Sequence, residues 1–146
     1  MSHDLAAFFP GKEDSAQALL ACNGETQRYG LGLTRDQALE LCLTRDRALK
    51  VTGRVEFGSG ILARLARAFA PSPWIAPQDW PDTLGELMEL FYSAKTESAD
   101  LLTDGQLLDF MVRRFDVPCR GSLAALEDLV YALARRARGG EVPEDA

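Results

Sequence analysis

The sequence predicts an all-α protein, and three observations indicate this class. Apolar residues recur at helical spacing in several stretches, and one of them, Arg35–Thr52, contains neither proline nor glycine. Most of these stretches begin at capping residues and end at glycine or proline. The only segment that alternates like a strand is the short run 54–57. We therefore expect a compact single domain of five to six helices with a short extended segment near 54–57.

The helices are predicted in chain order from their start and stop signals. A short helix from Asp14 to Cys22 ends at Asn23-Gly24, and residues 24–32 form a loop. The longer helices are Arg35–Thr52, Gly60–Ala70, Asp82–Ser98, one from the Thr103 cap to Phe115 and one from the Ser122 cap to Arg138. Capping boxes are predicted for Thr34 with Gln37, Thr83 with Glu86, and Thr103 with Gln106. We expect residues 1–11 to be an N-terminal arm, 12–138 a single helical domain and 139–146 a disordered acidic tail.

Composition restricts the class of partner and the location. The chain has 146 residues and a net charge of −6. This charge is unsuited to a duplex nucleic-acid binder, because binding a polyanion depends on clustered cations. The three widely spaced cysteines are typical of reduced thiols in a cytoplasm. No apolar run is long enough to span a bilayer, and the N-terminus lacks the features of a signal peptide. We expect a cytoplasmic protein that binds neither membrane nor nucleic acid.

The residue types that most enzymes and metal sites require are scarce. The one histidine, His3, lies in the arm, which argues against Ser-His-Asp and Cys-His catalysis and against a multi-histidine metal site. No Cys-x-x-Cys, Gly-x-Ser-x-Gly, P-loop or dinucleotide motif is present. Cys119 precedes the last helix beside Arg120, which favours a lowered thiol pKa, but no general base is near it in sequence. We interpret Cys119 as a packing residue and expect no catalytic residue, cofactor or metal.

The strongest ligand-like feature is the hinge, defined as residues 53–60 between two predicted helices. Gly58 and Gly60 loosen the backbone here, and Ser59 is placed to cap the helix that follows. Free amides at a helix N-terminus hold anions, and Arg54 adds a positive charge. A simple turn is the alternative interpretation of the same glycines.

Two charged side chains are predicted to face apolar stripes. Asp46 falls at helical spacing on the stripe that includes Leu49, so it needs a partner such as Arg54 or a lysine. Lys95 projects from the apolar face of its helix, where it either snorkels to water or pairs with Asp46 or Glu56. The predicted ligand-binding residues are Arg54, Glu56, Gly58, Ser59, Gly60, Asp46 and Lys95.

The proline-rich connector and several paired carboxylates are interpreted as structural features. The proline-rich connector Trp74–Pro81 holds two tryptophans, which typically pin a loop to the core, with a peptide-binding or base-stacking surface as the alternative. Several carboxylates are interpreted as solvated helix faces and helix starts, namely Asp36 with Glu40, Glu86 with Glu89, and Asp100 with Asp104.

The run Gly53–Gly58 (GRVEFG), with the preceding Thr44–Leu49, resembles a bacterial family of small helical proteins of unknown function. Further matching residues are Ser72–Ile75, Thr83-Leu84, Phe91-Tyr92, Lys95, Glu97 and Cys119–Leu123. The chain departs from the family pattern at Asp46 and Thr96, where the family has asparagine, and at Trp74, where it has tyrosine. The resemblance implies a helical cytoplasmic bacterial protein and brings no activity with it.

Three functions are consistent with the sequence. The first is a non-enzymatic interaction or regulatory module that self-associates or docks on a protein partner. The second is a domain that binds a small anion or metabolite at the hinge. The third is an enzyme that uses Lys95 or Cys119 together with carboxylates.

Overall fold

The computed structural model describes residues 12–56 and 60–140, with side chains from Asp14 onwards. Within these residues the chain forms seven α-helical segments, of which the second is a single turn. Their bounds are α1 Lys12–Leu20, α2 Asn23–Thr26, α3 Arg35–Thr52, α4 Ile61–Phe69, α5 Trp80–Glu97, α6 Asp104–Asp116 and α7 Leu123–Arg138. Short 3-10 turns lie at Gln27–Tyr29 and Pro77–Asp79. The described ranges contain no strand, and the predicted all-α class is confirmed.

Side-chain caps start three of the long helices where the sequence predicts them. The Thr34 hydroxyl accepts from the Gln37 amide at 3.1 Å, and the Gln37 side chain accepts from the Thr34 amide at 2.9 Å. Thr103 and Gln106 repeat this capping box at the start of α6. Ser122 caps α7 by one bond of the same kind. Each bond satisfies an amide that the helix leaves unpaired, which fixes where the helix begins.

The start of α5 differs from its prediction. The helix begins at Trp80, so Thr83 and Glu86 lie inside it and the predicted capping box is wrong. Pro81 explains the difference, because a proline in the first turn costs no hydrogen bond and its φ is already helical.

The segment after α1 is more ordered than the predicted loop. Helix α1 ends at Leu20, and Asn23 begins α2 instead of ending a helix. The Asn23 side chain accepts from the Leu33 amide at 3.0 Å and donates to the Leu33 carbonyl at 2.9 Å. These two bonds tie α2 to the approach of α3.

Helix α5 is the centre of the fold, with α3, α4, α6 and α7 packed against it. Its side chains Trp80, Phe91 and Tyr92 are each about 1% exposed. Phe69 of α4 and Phe115 of α6 meet edge to face, with ring centroids 5.3 Å apart. Burial of such large apolar side chains supplies the main driving force for folding.

The hinge, the N-terminal arm and the tail lie partly or wholly outside the described residues. Residues 54–56 adopt no regular secondary structure, and 57–59 lie outside the described residues, as do the predicted arm 1–11 and tail residues 141–146. Gly139 ends α7 as predicted. Across the described ranges, each helix is too short or too polar to cross a membrane.

Candidate functional site

A polar cluster of the buried Arg45 and Tyr92 with the half-buried Glu56 lies where the hinge meets α3 and α5, and Glu56 is its centre. One carboxylate oxygen of Glu56 accepts from the Tyr92 hydroxyl of α5. The same oxygen accepts from the Ile61 amide at 3.2 Å, which is the first residue of α4. Glu56 therefore places a negative charge at the N-terminus of α4, where the helix dipole stabilises it.

Gly60 allows this carboxylate to approach the backbone. Its φ is +54°, a region that side chains disfavour. A Cβ atom at this position would lie 1.9 Å from Oε1 of Glu56 and 3.1 Å from Nη1 of Arg45. The prediction that Gly60 belongs to the site has a physical basis here, whereas Gly58 and Ser59 lie outside the described residues.

Arg45, and not Asp46, is the charged residue on the buried stripe of α3. Arg45 is 2% exposed, whereas the Asp46 side chain is 34% exposed. Arg45 lies three residues after Cys42 and four before Leu49, and both of those residues are buried. The prediction that Asp46 faces the core is wrong: Arg45 and Asp46 both lie at helical spacing from Cys42 and Leu49, and packing buries Arg45. Asp46 lies beside the guanidinium at 3.8 Å.

Burial and the Glu56 carboxylate both raise the pKa of Tyr92 well above its ordinary value. Burial has the larger effect, because ionisation would place a phenolate in the core. The nearby Arg45 and Arg54 oppose the shift without reversing it. Tyr92 is therefore a neutral hydrogen-bond donor at physiological pH.

Arg54 pairs with Asp100 in the turn after α5. Both guanidinium nitrogens of the fork contact the carboxylate, Nη1 at 3.3 Å from Oδ2. Asp100 has φ of +60° and follows Ala99 with φ of +54°, so two consecutive residues adopt the left-handed conformation. The hydrogen bond from Arg54 lowers the pKa of Asp100. This pair ties the hinge to the turn between α5 and α6.

Lys95 is buried in the same region and has different partners from those predicted. Its ammonium donates to the Leu102 carbonyl at 2.7 Å and lies 2.8 Å from Oδ1 of Asp104. The predicted pairs of Lys95 with Asp46 or Glu56 are not among its contacts within the described residues. Arg64 of α4 reaches the other oxygen of Asp104 at 3.8 Å. Asp100 and Asp104, interpreted as solvated carboxylates, thus bind cations from three parts of the fold.

The thiols are placed for packing. Cys119 is 6% exposed, and burial raises its pKa, although Arg114 opposes the shift. Burial likewise raises the pKa of Cys22. A raised pKa disfavours the thiolate, which is the reactive form. Among the described residues, no group of three or more His, Cys, Asp or Glu side chains is arranged to hold a metal ion.

A groove follows the surface between α3 and α5. Its larger depression has a volume of about 640 Å³, and a smaller one of about 310 Å³ adjoins it, with Thr44 and Glu89 in both walls. Tyr92 lines the smaller depression, so one residue contributes both to the groove and to the polar cluster. The predicted site residues with described side chains lie away from these two walls.

Arg45 and Tyr92 are the site residues that sequence reasoning missed. Arg45 continues a regular spacing through Ala38, Cys42 and Leu49, which is a readable signal. Tyr92 follows Met88 by four residues and so falls on the predicted stripe of its helix. The partner of Tyr92, Glu56, lies 36 positions away in the chain, and a contact at that separation leaves no periodic signal.

The fold and its polar centre define a helical single-domain protein with an Arg-Glu-Tyr cluster beside a surface groove. The chain belongs to the family of unknown function DUF6323, which matches residues 18–142. This assignment agrees with the resemblance to a family of unknown function, and the bacterial origin stays a prediction. No curated protein and no solved structure matches the chain significantly.

Proposed function

We propose that the chain is a non-enzymatic interaction module that binds a basic segment of a protein partner in the groove between α3 and α5. The charge of the groove is the observation that carries this proposal. Among the residues that the structure describes, five carboxylates line it against a single guanidinium, that of Arg47; they are Asp36, Glu40, Asp82, Glu86 and Glu89. Complementary charge accelerates encounter and selects the partner.

The shape of the groove supports an elongated occupant. The two depressions share walls and follow two long helices, which gives a continuous channel. Leu41 and Gly85 form part of the wall of the larger depression, and Val51, which is 86% exposed, lines the smaller one. An amphipathic helix with basic residues fits such a channel, because its apolar side contacts the wall and its cations meet the carboxylates.

An enzyme that uses Lys95 or Cys119 receives less support. The ammonium of Lys95 is already held by the Leu102 carbonyl and Asp104. Cys119 is buried with a raised pKa. Both arrangements are typical of structural side chains.

Binding of a labelled oligo-arginine peptide, measured by fluorescence anisotropy, tests the charge of the groove. Glu40→Lys is expected to weaken binding about tenfold by placing a cation in the wall. Asp128→Lys changes the net charge equally at an exposed site on α7 and is expected to leave binding nearly unchanged. Equal losses in both variants would indicate attraction to the whole acidic protein and would overturn the groove assignment.

A neutral pair of variants at Gly85 tests the shape of the groove. Gly85→Phe places a large side chain in the wall without changing charge, and we expect it to abolish peptide binding. Gly85→Ala adds a Cβ atom at 3.6 Å from Leu41, an ordinary contact, and is expected to bind like the unmodified protein. If Gly85→Phe binds as well as Gly85→Ala, the peptide does not use this groove. If a second copy of this chain fills the groove, sedimentation will show an oligomer that Gly85→Phe dissociates.

Anion binding at the hinge is the second candidate function. The favouring observation is that the N-terminus of α4, with Tyr92 beside it, already accommodates a carboxylate, that of Glu56. An external anion must displace this side chain. Inorganic phosphate is therefore expected to raise the melting temperature more in Glu56→Gln than in the unmodified protein, and equal shifts would remove the candidate.

A further inference from the structure

The backbone and Cβ of Trp74 are closely packed, whereas much of its indole lies in solvent. Its Cβ lies so close to Gly121 that a Cβ on the glycine would be 2.7 Å away. The Trp74 amide donates to the Ser72 hydroxyl at 3.2 Å, and that hydroxyl donates to Asp116 at 2.6 Å. Trp74 is nevertheless 47% exposed, whereas Trp80 in the same connector is 1% exposed. The prediction that both tryptophans pin the connector to the core holds for Trp80 alone.

A cavity of about 360 Å³ lies beside this indole. Its apolar wall includes Ile75, Phe115 and Leu123, and three exposed carboxylates complete it, those of Asp79, Asp82 and Glu86. Within the described part of the chain, these carboxylates form no ion pair with a cationic side chain. Acidic residues alone define no site, but here they line the same cavity as the half-exposed indole of Trp74.

We propose that this cavity binds one arginine side chain of the basic segment that docks in the groove. A guanidinium is planar and weakly hydrated, so it stacks on an indole while its N–H groups donate to carboxylates. Both halves of that recognition are present in the cavity wall. An ammonium of lysine is more strongly hydrated and matches the planar face less well.

The position of the cavity links it to the groove. Asp82 and Glu86 belong to both walls, so the cavity opens beside the larger depression. A segment in the groove therefore reaches the cavity with one long side chain. Asp79 lines the cavity but not the groove, so a change at Asp79 affects the cavity alone. This inference rests on the proposed function, since the docked segment supplies the arginine.

The test compares oligo-arginine with oligo-lysine of equal length on the full chain by fluorescence anisotropy. The unmodified protein is expected to bind oligo-arginine about fivefold more tightly. Trp74→Leu is expected to remove this preference while retaining binding of both peptides. Asp79→Asn, a change at an exposed position, is expected to reduce the preference as well and covers the case in which Trp74→Leu does not fold.

Each outcome separates the two proposals. If both peptides bind and Trp74→Leu and Asp79→Asn leave the preference for arginine unchanged, the cavity assignment is wrong and the groove assignment stands. If both peptides bind the unmodified protein equally, the cavity assignment is also wrong. If neither peptide binds, both proposals are overturned.

Discussion

Glu56 accepts a hydrogen bond from the hydroxyl of Tyr92, which joins two residues 36 positions apart in the chain. The same oxygen accepts from the first amide of α4. The Glu56 side chain of the hinge thus connects the central helix α5 to the start of α4. Because Tyr92 also lines the smaller depression of the groove, the cluster supports the surface on which the proposed partner binds.

Tyr92→Phe is expected to destabilise the protein by about 1–2 kcal/mol. The change removes the hydroxyl donor and leaves a half-buried carboxylate with one fewer partner. Urea denaturation measures the effect through the midpoint of unfolding. Tyr29→Phe is the control, since Tyr29 is 44% exposed and its loss of a hydroxyl is expected to change little. Equal midpoints for the two variants would contradict the role of the Tyr92–Glu56 bond.

Stability is expected to fall as the solution becomes alkaline. The folded pKa of Tyr92 is raised, so the unfolded chain releases this proton first, at a pH of about 10, and unfolding becomes more favourable above it. The folded thiol pKa values of Cys22 and Cys119 are raised as well. The unfolded chain therefore releases these protons first, and the free energy of unfolding begins to fall at a pH of about 8.5. Urea midpoints across this range should decline more gently above a pH of about 10 in Tyr92→Phe. Parallel curves for variant and unmodified protein would rule out Tyr92 as a source of the decline.

Gly60→Ala is expected to destabilise the protein by about 2–4 kcal/mol. The backbone of Gly60, with φ of +54° and ψ of −135°, lies in a sparsely populated region and accounts for about 1–3 kcal/mol, and displacement of the Glu56 carboxylate accounts for the rest. Gly53→Ala is the reference without crowding, at a left-handed backbone conformation that strains a side chain less than the conformation of Gly60 does. Gly53 also has positive φ, +68°, but a Cβ there meets no atom within 4 Å. Thermal unfolding should show the larger loss at Gly60, and equal losses would mean that the crowding by Glu56 is relieved without cost.

The helices follow from sequence because their signals are local. Thr34 with Gln37 and Thr103 with Gln106 occur three residues apart, and each pair fixes its helix start without help from the rest of the chain. The start of α5 is less clear from local signals, because two of them disagree there. The capping box of Thr83 with Glu86 predicts a later start, but the helix begins at Trp80 with Pro81 in its first turn.

The polar contacts do not follow from sequence in the same way. The sequence singles out the hinge, and in the structure Glu56 and Arg54 form hydrogen bonds there while Gly60 lies against the Glu56 carboxylate. The partners Tyr92 and Asp100 come from α5 and the turn after it, and tertiary packing alone decides which carboxylate meets which cation. Asp46 shows the consequence. The sequence places Asp46 on the buried face of α3, whereas the buried charged side chain is that of the preceding residue, Arg45.

Lys95 and Asp104 should respond unequally to substitution. Asp104→Ala leaves the buried ammonium of Lys95 with fewer partners and is expected to cost about 1–3 kcal/mol. Lys95→Met replaces the buried cation by an apolar chain of similar length, and Asp104 keeps water and Arg64, so we expect a smaller loss.

Asp109→Ala is the control for this pair of variants. It breaks the exposed pair of Asp109 with Arg113 at 2.9 Å, one turn apart on α6, and is expected to cost about 0.5 kcal/mol or less. Urea denaturation of the three variants should rank Asp104→Ala first. A larger loss in Lys95→Met than in Asp104→Ala would mean that the ion pair itself, and not the penalty of a buried charge with too few partners, stabilises this end of α5.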